Sequence, residues 1–195
     1  MLDFLLDLDK QLFLALNGLN NGFFDQVMYY ISEKVTWIPL YALLLFLIFK
    51  RFRWRGLVVL LLVVVLVTLS DQLSVLMKNS FLRLRPCHEP ALEGLVHIVR
   101  GHCGGRYGFV SSHAANTFAL ATFMTFLLGD RFQWVLPLMF AYAGLNAYSR
   151  IYLGVHYPGD VIFGALLGVF IGLLVWWLWD IFLGFFPEHK TDKTV

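Results

Sequence analysis

The chain has 195 residues, 59% of them hydrophobic and 14% charged, with a formal net charge of only +2. A soluble domain carries about 25% charged residues, so this surface cannot be mostly wet. A near-neutral balance with no basic stripe argues against a nucleic-acid binder. No linker, low-complexity segment or internal repeat interrupts residues 1–195, which read as a single membrane-embedded domain.

The apolar content lies in runs suited to crossing a bilayer, roughly 17–25 residues each, and a helix satisfies its own backbone in lipid. The expected fold is therefore all-α: an integral membrane helical bundle with about five transmembrane helices and an N-terminal interfacial amphipathic helix. In residues 2–16, Leu2, Leu5, Leu6, Leu12, Phe13 and Leu16 recur at helical spacing, with Asp3, Asp7, Lys10 and Gln11 elsewhere. That pattern fits a helix lying in the membrane interface or a packed helix of the bundle. Its acidic start lacks the basic segment of a signal peptide. Asn17-Gly18 and Asn20-Asn21-Gly22 mark a turn.

Spans are predicted over residues 35–49, 56–77, 113–128, 133–148 and 161–182. In the last, Gly164, Gly168 and Gly172 recur every fourth residue, which permits close helix packing. Residues 50–55 form the densest basic loop, so that end should be cytoplasmic. The loop 78–112 and the turn 149–159 then face outward, and the turn at 129–131 and the C-terminal tail face inward. The outer segments also hold many Lys and Arg residues, which the orientation rule does not explain.

Three outer segments supply a reason for those cations. The first runs from Lys78 to Arg85-Pro86, the second holds Ser111-Ser112-His113, and the third holds Ser149-Arg150, His156 and Asp160. Lys78, Arg85 and Arg150 converge from separate spans, and Arg presents a planar fork that matches phosphate oxygens. One of Ser111 and Ser112 is a plausible N-cap, and unpaired N–H groups beyond it would point at an anion. His113 and His156 add acid–base or nucleophilic capacity. Asp160, four residues after His156, is placed to accept a hydrogen bond from its ring.

At these residues the chain resembles the type 2 phosphatidic acid phosphatase (PAP2) superfamily, whose pattern is K-x6-RP, PSGH and SR-x5-H-x3-D. The first and third segments match in full. The second has Val110 for Pro and Ser112 for Gly, which costs backbone freedom but keeps Ser111 and His113. The resemblance covers roughly residues 60–180. It implies that His156 attacks phosphorus and becomes phosphohistidine while Asp160 orients it. His113 would protonate the leaving oxygen and then activate water. Lys78, Arg85, Ser111, Ser112 and Arg150 would hold the phosphoryl oxygens. It implies no cofactor and no metal, the positive charge being built in. The substrate would be a lipid phosphate at the outer face, with membrane lipids as further partners. Its small size is similar to bacterial members, which places it in the inner membrane with the site on the periplasmic or extracytoplasmic face. Undecaprenyl pyrophosphate would suit the extra outer cations Arg83, Arg100 and Arg106. Phosphatidylglycerophosphate, phosphatidic acid and lipid A phosphates are the alternatives, and a non-enzymatic lipid-phosphate carrier is the rival of another class.

Other residues carry two readings each. Arg83, Arg100 and Arg106 otherwise read as anchors or solvated loop residues, and His97 and His189 as structural. Asp71, two helical turns before Lys78, either supports Lys78 or Arg85 or serves helix packing. Cys87 and Cys103 form a disulfide, bind zinc together with His88 and His102, or stand as free thiols.

Overall fold

A computed structural model of the chain describes residues 2–101 and 103–185. Seven α-helices carry its hydrophobic periodicity: α1 (Leu2–Asn17), α2 (Gly22–Ser32), α3 (Ile38–Phe52), α4 (Gly56–Phe81), α5 (Ser112–Leu128), α6 (Val135–Tyr152) and α7 (Pro158–Gly184). Among the described residues there is no β-strand, and one isolated antiparallel bridge joins Leu84 to Tyr107. The five predicted spans correspond to α3 through α7. His189, His102 and the residues after 185 lie outside the described residues.

The helices start and stop where local chemistry requires. Pro39 in the first turn of α3 and Pro158 in that of α7 spend no needed N–H. The side chain of Ser111 caps α5 by accepting from the N–H of Ala114. Leu82, in left-handed backbone, ends α4 as its N–H donates to the carbonyl of Lys78.

α5 is the central helix. It buries Ala114, Ala115, Ala119, Ala121, Phe123, Met124, Leu127 and Leu128, and it packs between α4, α6 and α7. A helix apolar all round belongs inside a bundle. The tightest seam is with α7, where the three regularly spaced glycines lie on the α5 backbone. A Cβ at Gly164, Gly168 or Gly172 would stand 2.6, 2.3 or 2.7 Å from the carbonyl oxygens of Ser111, Ala115 and Ala119. This seam holds the start of α7 against the start of α5, where the predicted site residues lie. Outward, Leu57, Leu61 and Val64 of α4 and Phe163, Leu166 and Phe170 of α7 are exposed with no charge among them. Such an apolar surface requires lipid.

The bundle has two distinct ends. At one, Arg51 forms a bidentate pair with Asp130, joining the basic turn after α3 to the turn after α5. At the other, the loop after α4, together with α1, lies over the start of α7, and α2 lies against the end of α6. Cys87 and Cys103 are bonded to each other across that loop, with Cα atoms 6.0 Å apart, so their sulfurs are engaged in a disulfide.

α2 was not anticipated. Its sequence Gly-Phe-Phe-Asp-Gln-Val-Met-Tyr-Tyr-Ile-Ser is rich in aromatic and β-branched residues of modest helix propensity, and it buries only Met28 and Ser32. The cap at Asn21, which accepts from the N–H of Phe24, starts it. α1 combines both of its expected characters. Phe13 is fully buried against Tyr157, and Asn17 donates to the carbonyls of His97 and Tyr152, while Phe4, Leu5, Leu8 and Leu12 face outward. His97 is structural, its Nε2 lying 2.9 Å from Asp25.

The glycine seam gives a stability prediction. Gly168→Ala forces a methyl into the α5 backbone, an overpacking cost of about 1–3 kcal/mol, and should lower the melting temperature in detergent by several degrees. Gly144→Ala, where a Cβ meets nothing within 4 Å, should leave it unchanged or raised.

Candidate active site

Four chain segments meet beneath the outer loop. The extended stretch 83–85 pairs with 106–108: the N–H of Arg85 donates to the carbonyl of Arg106, and that of Gly108 to the carbonyl of Arg83. This fixes Arg85 over the turn between α6 and α7. Arg85 Nε donates to the carbonyl of Tyr107 at 3.2 Å, and one of its terminal nitrogens donates to the carbonyl of Val155 and to Nε2 of His156, at 3.3 and 3.2 Å.

His156 sits in that turn and is 2% exposed. Its tautomer follows from its neighbours. Arg85 can only donate, so Nε2 of His156 accepts and carries the lone pair. Nδ1 therefore carries the proton and faces Asp160 Oδ2 at 3.4 Å. Burial, and then the charges of Arg85, Arg150 and Lys78, hold the imidazole well below its ordinary pKa, so it is neutral at neutral pH.

The expected contact between Asp160 and His156 is present but long. The fully buried carboxylate is held mainly by other groups: Tyr157 N–H donates to Oδ2 at 3.1 Å and Arg83 donates to Oδ1 at 2.9 Å. Arg83 is thus not a surface anchor. It also donates to Asp9 of α1 at 2.7 Å and lies over the Tyr157 ring. Arg100 instead stacks on Tyr29 with its guanidinium 3.7 Å from the ring centroid.

The second segment opens α5. Ser111 is the N-cap and its own N–H donates to the carbonyl of Asp160 at 2.9 Å. The N–H groups of Ser112 and His113 begin the helix, where no intrahelical carbonyl can receive them. The hydroxyl of Ser112, the departure from the family pattern, meets Ser74 Oγ at 2.6 Å and receives a hydrogen bond from Lys78 Nζ. Ser112 therefore ties the cation of α4 to the start of α5. Arg150 donates to Ser32 of α2, and its Nε is buried without a partner. His113 has the cations Arg150, Lys34 and Arg85 and the imidazole of His156 as its titratable neighbours.

All eight residues of the predicted phosphate-binding and catalytic set thus gather at one end of the bundle. Asp71 lies beside them, lining a cleft of about 460 Å³ with Ser112, His113, Asn116 and Lys34. The cleft continues between α3, α4, α5 and α6 past Trp37, Tyr41, Leu44, Val63, Leu120 and Met124. Sequence reasoning did not single out Lys34, Asp9 or Gly108. A Cβ at Gly108 would stand 2.8 Å from Asp160 Oδ2, which explains the glycine. Lys34 had a readable signal, a cation at the entry of a span.

The arrangement has the chemistry to hold an anion beside an imidazole with a free lone pair. Lys78, Arg85 and Arg150 converge with no carboxylate hydrogen-bonded to any of them, and Asp160, the carboxylate facing Arg85, is paired with Arg83. Helix N–H groups complete the donor set.

Comparison with known proteins agrees. The model of the PAP2 superfamily matches residues 56–182. The chain is 41% identical over 185 residues to a lipid A 4'-phosphatase of Bacteroides thetaiotaomicron, covering 91% of this chain and 80% of that protein. It is 36% identical over 178 residues to a lipid A 4'-phosphatase of Porphyromonas gingivalis, covering 90% of this chain and 74% of that one. The crystal structure of Aquifex aeolicus LpxE superposes with a TM-score of 0.67 at 26% identity, covering 86% of this chain and 94% of that one.

Inorganic phosphate should therefore raise the melting temperature of the wild type in detergent, by linkage. Arg85→Met should weaken phosphate binding roughly 10–100-fold, the loss of a hydrogen bond to a charged group, and sharply reduce that shift at millimolar phosphate.

Proposed function

Because the chain belongs to the PAP2 superfamily and is an integral membrane phosphatase of lipid phosphates, we propose that it removes a phosphomonoester from a lipid A-type substrate through a phosphohistidine at His156. The observation that carries this reading is the fixed imidazole: Nε2 bears its lone pair into the cage of cations while Nδ1–H faces Asp160.

The geometry supports the following steps. The substrate phosphate displaces Arg85 from Nε2 and takes the guanidinium as its own donor. Nε2 attacks phosphorus, and the bond from phosphorus to the lipid oxygen breaks. His113, protonated in the presence of the anionic phosphate, gives its proton to that oxygen. Neutral His113 then accepts a proton from water as the water oxygen attacks phosphorus. The N–P bond breaks, phosphate leaves, and His113 is protonated again. Lys78, Arg85, Arg150 and the N–H groups of Ser112 and His113 stabilise the spread charge of the transferring group, the larger part of the task in phosphoryl transfer. Ser111 shapes the helix start and Asp71 supports the charge of Lys78 from the cleft.

The cleft below His113 suits the rest of a lipid, being apolar in its depth and polar at its mouth. α4 and α7, of 26 and 27 residues, are long enough to cross a membrane core of roughly 30 Å. With α3, α5 and α6 they make five spans of a single domain. The basic end at residues 50–55 lies on the cytoplasmic side, and the cage opens on the extracytoplasmic face of a bacterial inner membrane. A phosphomonoester is favoured over a pyrophosphate because Arg83, one of the three extra outer cations, is engaged by Asp9 and Asp160 and is unavailable for a second phosphate. Arg100 and Arg106 are exposed on the loop and keep their charge. The two lipid A 4'-phosphatase relatives support the head group.

The test is phosphate release by the purified protein in detergent with EDTA, on bisphosphorylated lipid A, undecaprenyl pyrophosphate and phosphatidic acid. Lipid A should be turned over fastest, and His156→Ala should fall to background. Faster release from undecaprenyl pyrophosphate would overturn the substrate assignment, and equal release by both proteins would overturn His156. The acidic limb of kcat/KM set by His156 should lie below about pH 6.5, the ordinary imidazole value. Arg85→Met should move that limb to higher pH, since one of the charges opposing protonation is gone.

A further inference from the structure

We infer that Asp9 and Arg83 are positioning residues of the reaction, holding one net negative charge against the imidazole of His156. The inference rests on His156 as nucleophile and Asp160 as its orienting carboxylate.

The contacts form a closed ring. Arg83 donates to Asp160 Oδ1 at 2.9 Å and to Asp9 Oδ2 at 2.7 Å, and the N–H of Gly159 donates to Asp9 Oδ1 at 2.8 Å. Gly159 directly precedes Asp160, so the ring closes through the first turn of α7. It is tightly packed: a Cβ at Gly159 would stand 2.7 Å from Asp9 Oδ2. The guanidinium is further fixed over the Tyr157 ring, 4.1 Å from its centroid.

This ring does two things that bear on His156. Arg83 occupies Oδ1, so the rotation of the Asp160 carboxylate is set and Oδ2 is left to Tyr157 N–H and Nδ1 of His156. A carboxylate held by its backbone contact alone could turn away from the ring. The charge count matters as well. Arg83 alone would neutralise Asp160 and remove the field that a forming cation needs. Asp9 restores it, because two carboxylates against one guanidinium leave one net negative charge. When Nε2 bonds to phosphorus while Nδ1 keeps its proton, the imidazole becomes cationic, and the ring of charges lies on its Nδ1 side. Asp9 also holds Arg83 away from the phosphate cage. The same short stretch thus serves both ring nitrogens, Arg85 at Nε2 and Arg83, through Asp160, at Nδ1. The N-terminal helix enters the chemistry by this route.

The experiment measures kcat, KM and the inhibition constant of inorganic phosphate, with bisphosphorylated lipid A as substrate. The variants are Asp9→Asn, Arg83→Met, Arg83→Lys, Asp160→Asn, His156→Ala and the double variant Arg83→Met/Asp160→Asn. Asp9→Asn keeps the side chain's shape and should lower kcat about tenfold, within the range seen when an outer partner of a reacting group is lost. KM and the phosphate constant should stay within about threefold of wild type, which a distorted cage would not allow. Arg83→Met should fall further, Arg83→Lys should regain part of the loss, and the double variant should be no slower than Asp160→Asn alone. If Arg83→Met does not fold, Asp9→Asn decides. Wild-type kcat in Asp9→Asn, or a fully additive double variant, would overturn the inference. Wild-type kcat in Asp160→Asn or His156→Ala would instead overturn the reading on which it rests.

Discussion

The structure depends on an unbalanced charge. Three cations, Lys78, Arg85 and Arg150, are brought to the ends of apolar helices, where an ionic group without a partner is costly. Neutral acceptors hold them instead of carboxylates: carbonyls of Tyr107 and Val155 for Arg85, Ser112 for Lys78 and Ser32 for Arg150. Such contacts orient the cations without neutralising them. Their charge is left open to an anion, and the unpaired N–H groups at the start of α5 add further donors. The glycine seam serves this arrangement, because only a close approach of α7 to α5 lets the Ser111 N–H donate to the carbonyl of Asp160 and sets His156 near His113.

The contrast between Arg83 and Arg85 shows how neighbouring residues of one type diverge by environment. Arg85 meets carbonyls and an imidazole and keeps its charge for a ligand. Arg83, two residues earlier, meets two carboxylates and has none to spare. The surplus of outer cations that argued for a pyrophosphate is smaller than the composition suggested. Asp160 is likewise more constrained than a simple partner of His156, with contacts to Arg83, Tyr157 and His156 at once. The apolar cleft completes the division of labour. Its apolar depth suits the part of a lipid that the cage cannot recognise.

Much of this was legible in the sequence. The five long helices follow from runs of apolar residues, and their ends differ from expectation by a few residues where caps such as Ser111 and Leu82 decide the boundary. The three motif segments were legible because each is short and its spacing is fixed by local geometry, as with His156 and Asp160, four residues apart where the turn enters α7. What escaped were contacts across long stretches of chain. Asp9 meets Arg83 across 74 residues and Gly159 across 150, and no local periodicity encodes such a meeting. α2 carries a helical stripe of its own in Phe23, Phe24, Val27, Met28 and Ile31, but at 11 residues, between a turn and the first span, it is too short to stand out from the connection. The structural place of Ser112 was also hidden, since a pattern can show that glycine is replaced but not that Ser74 and Lys78 wait for the hydroxyl.

The central claim is that phosphorus passes through Nε2 of His156. The most direct measurement is rapid quenching of the purified enzyme with phosphorus-labelled lipid substrate, in EDTA, followed by alkaline peptide mapping. The account predicts a transient label, stable in alkali and lost in acid, on the peptide that contains His156 and absent from His156→Ala. Turnover with no labelled protein at any time, or an acid-stable label on another residue, would contradict it.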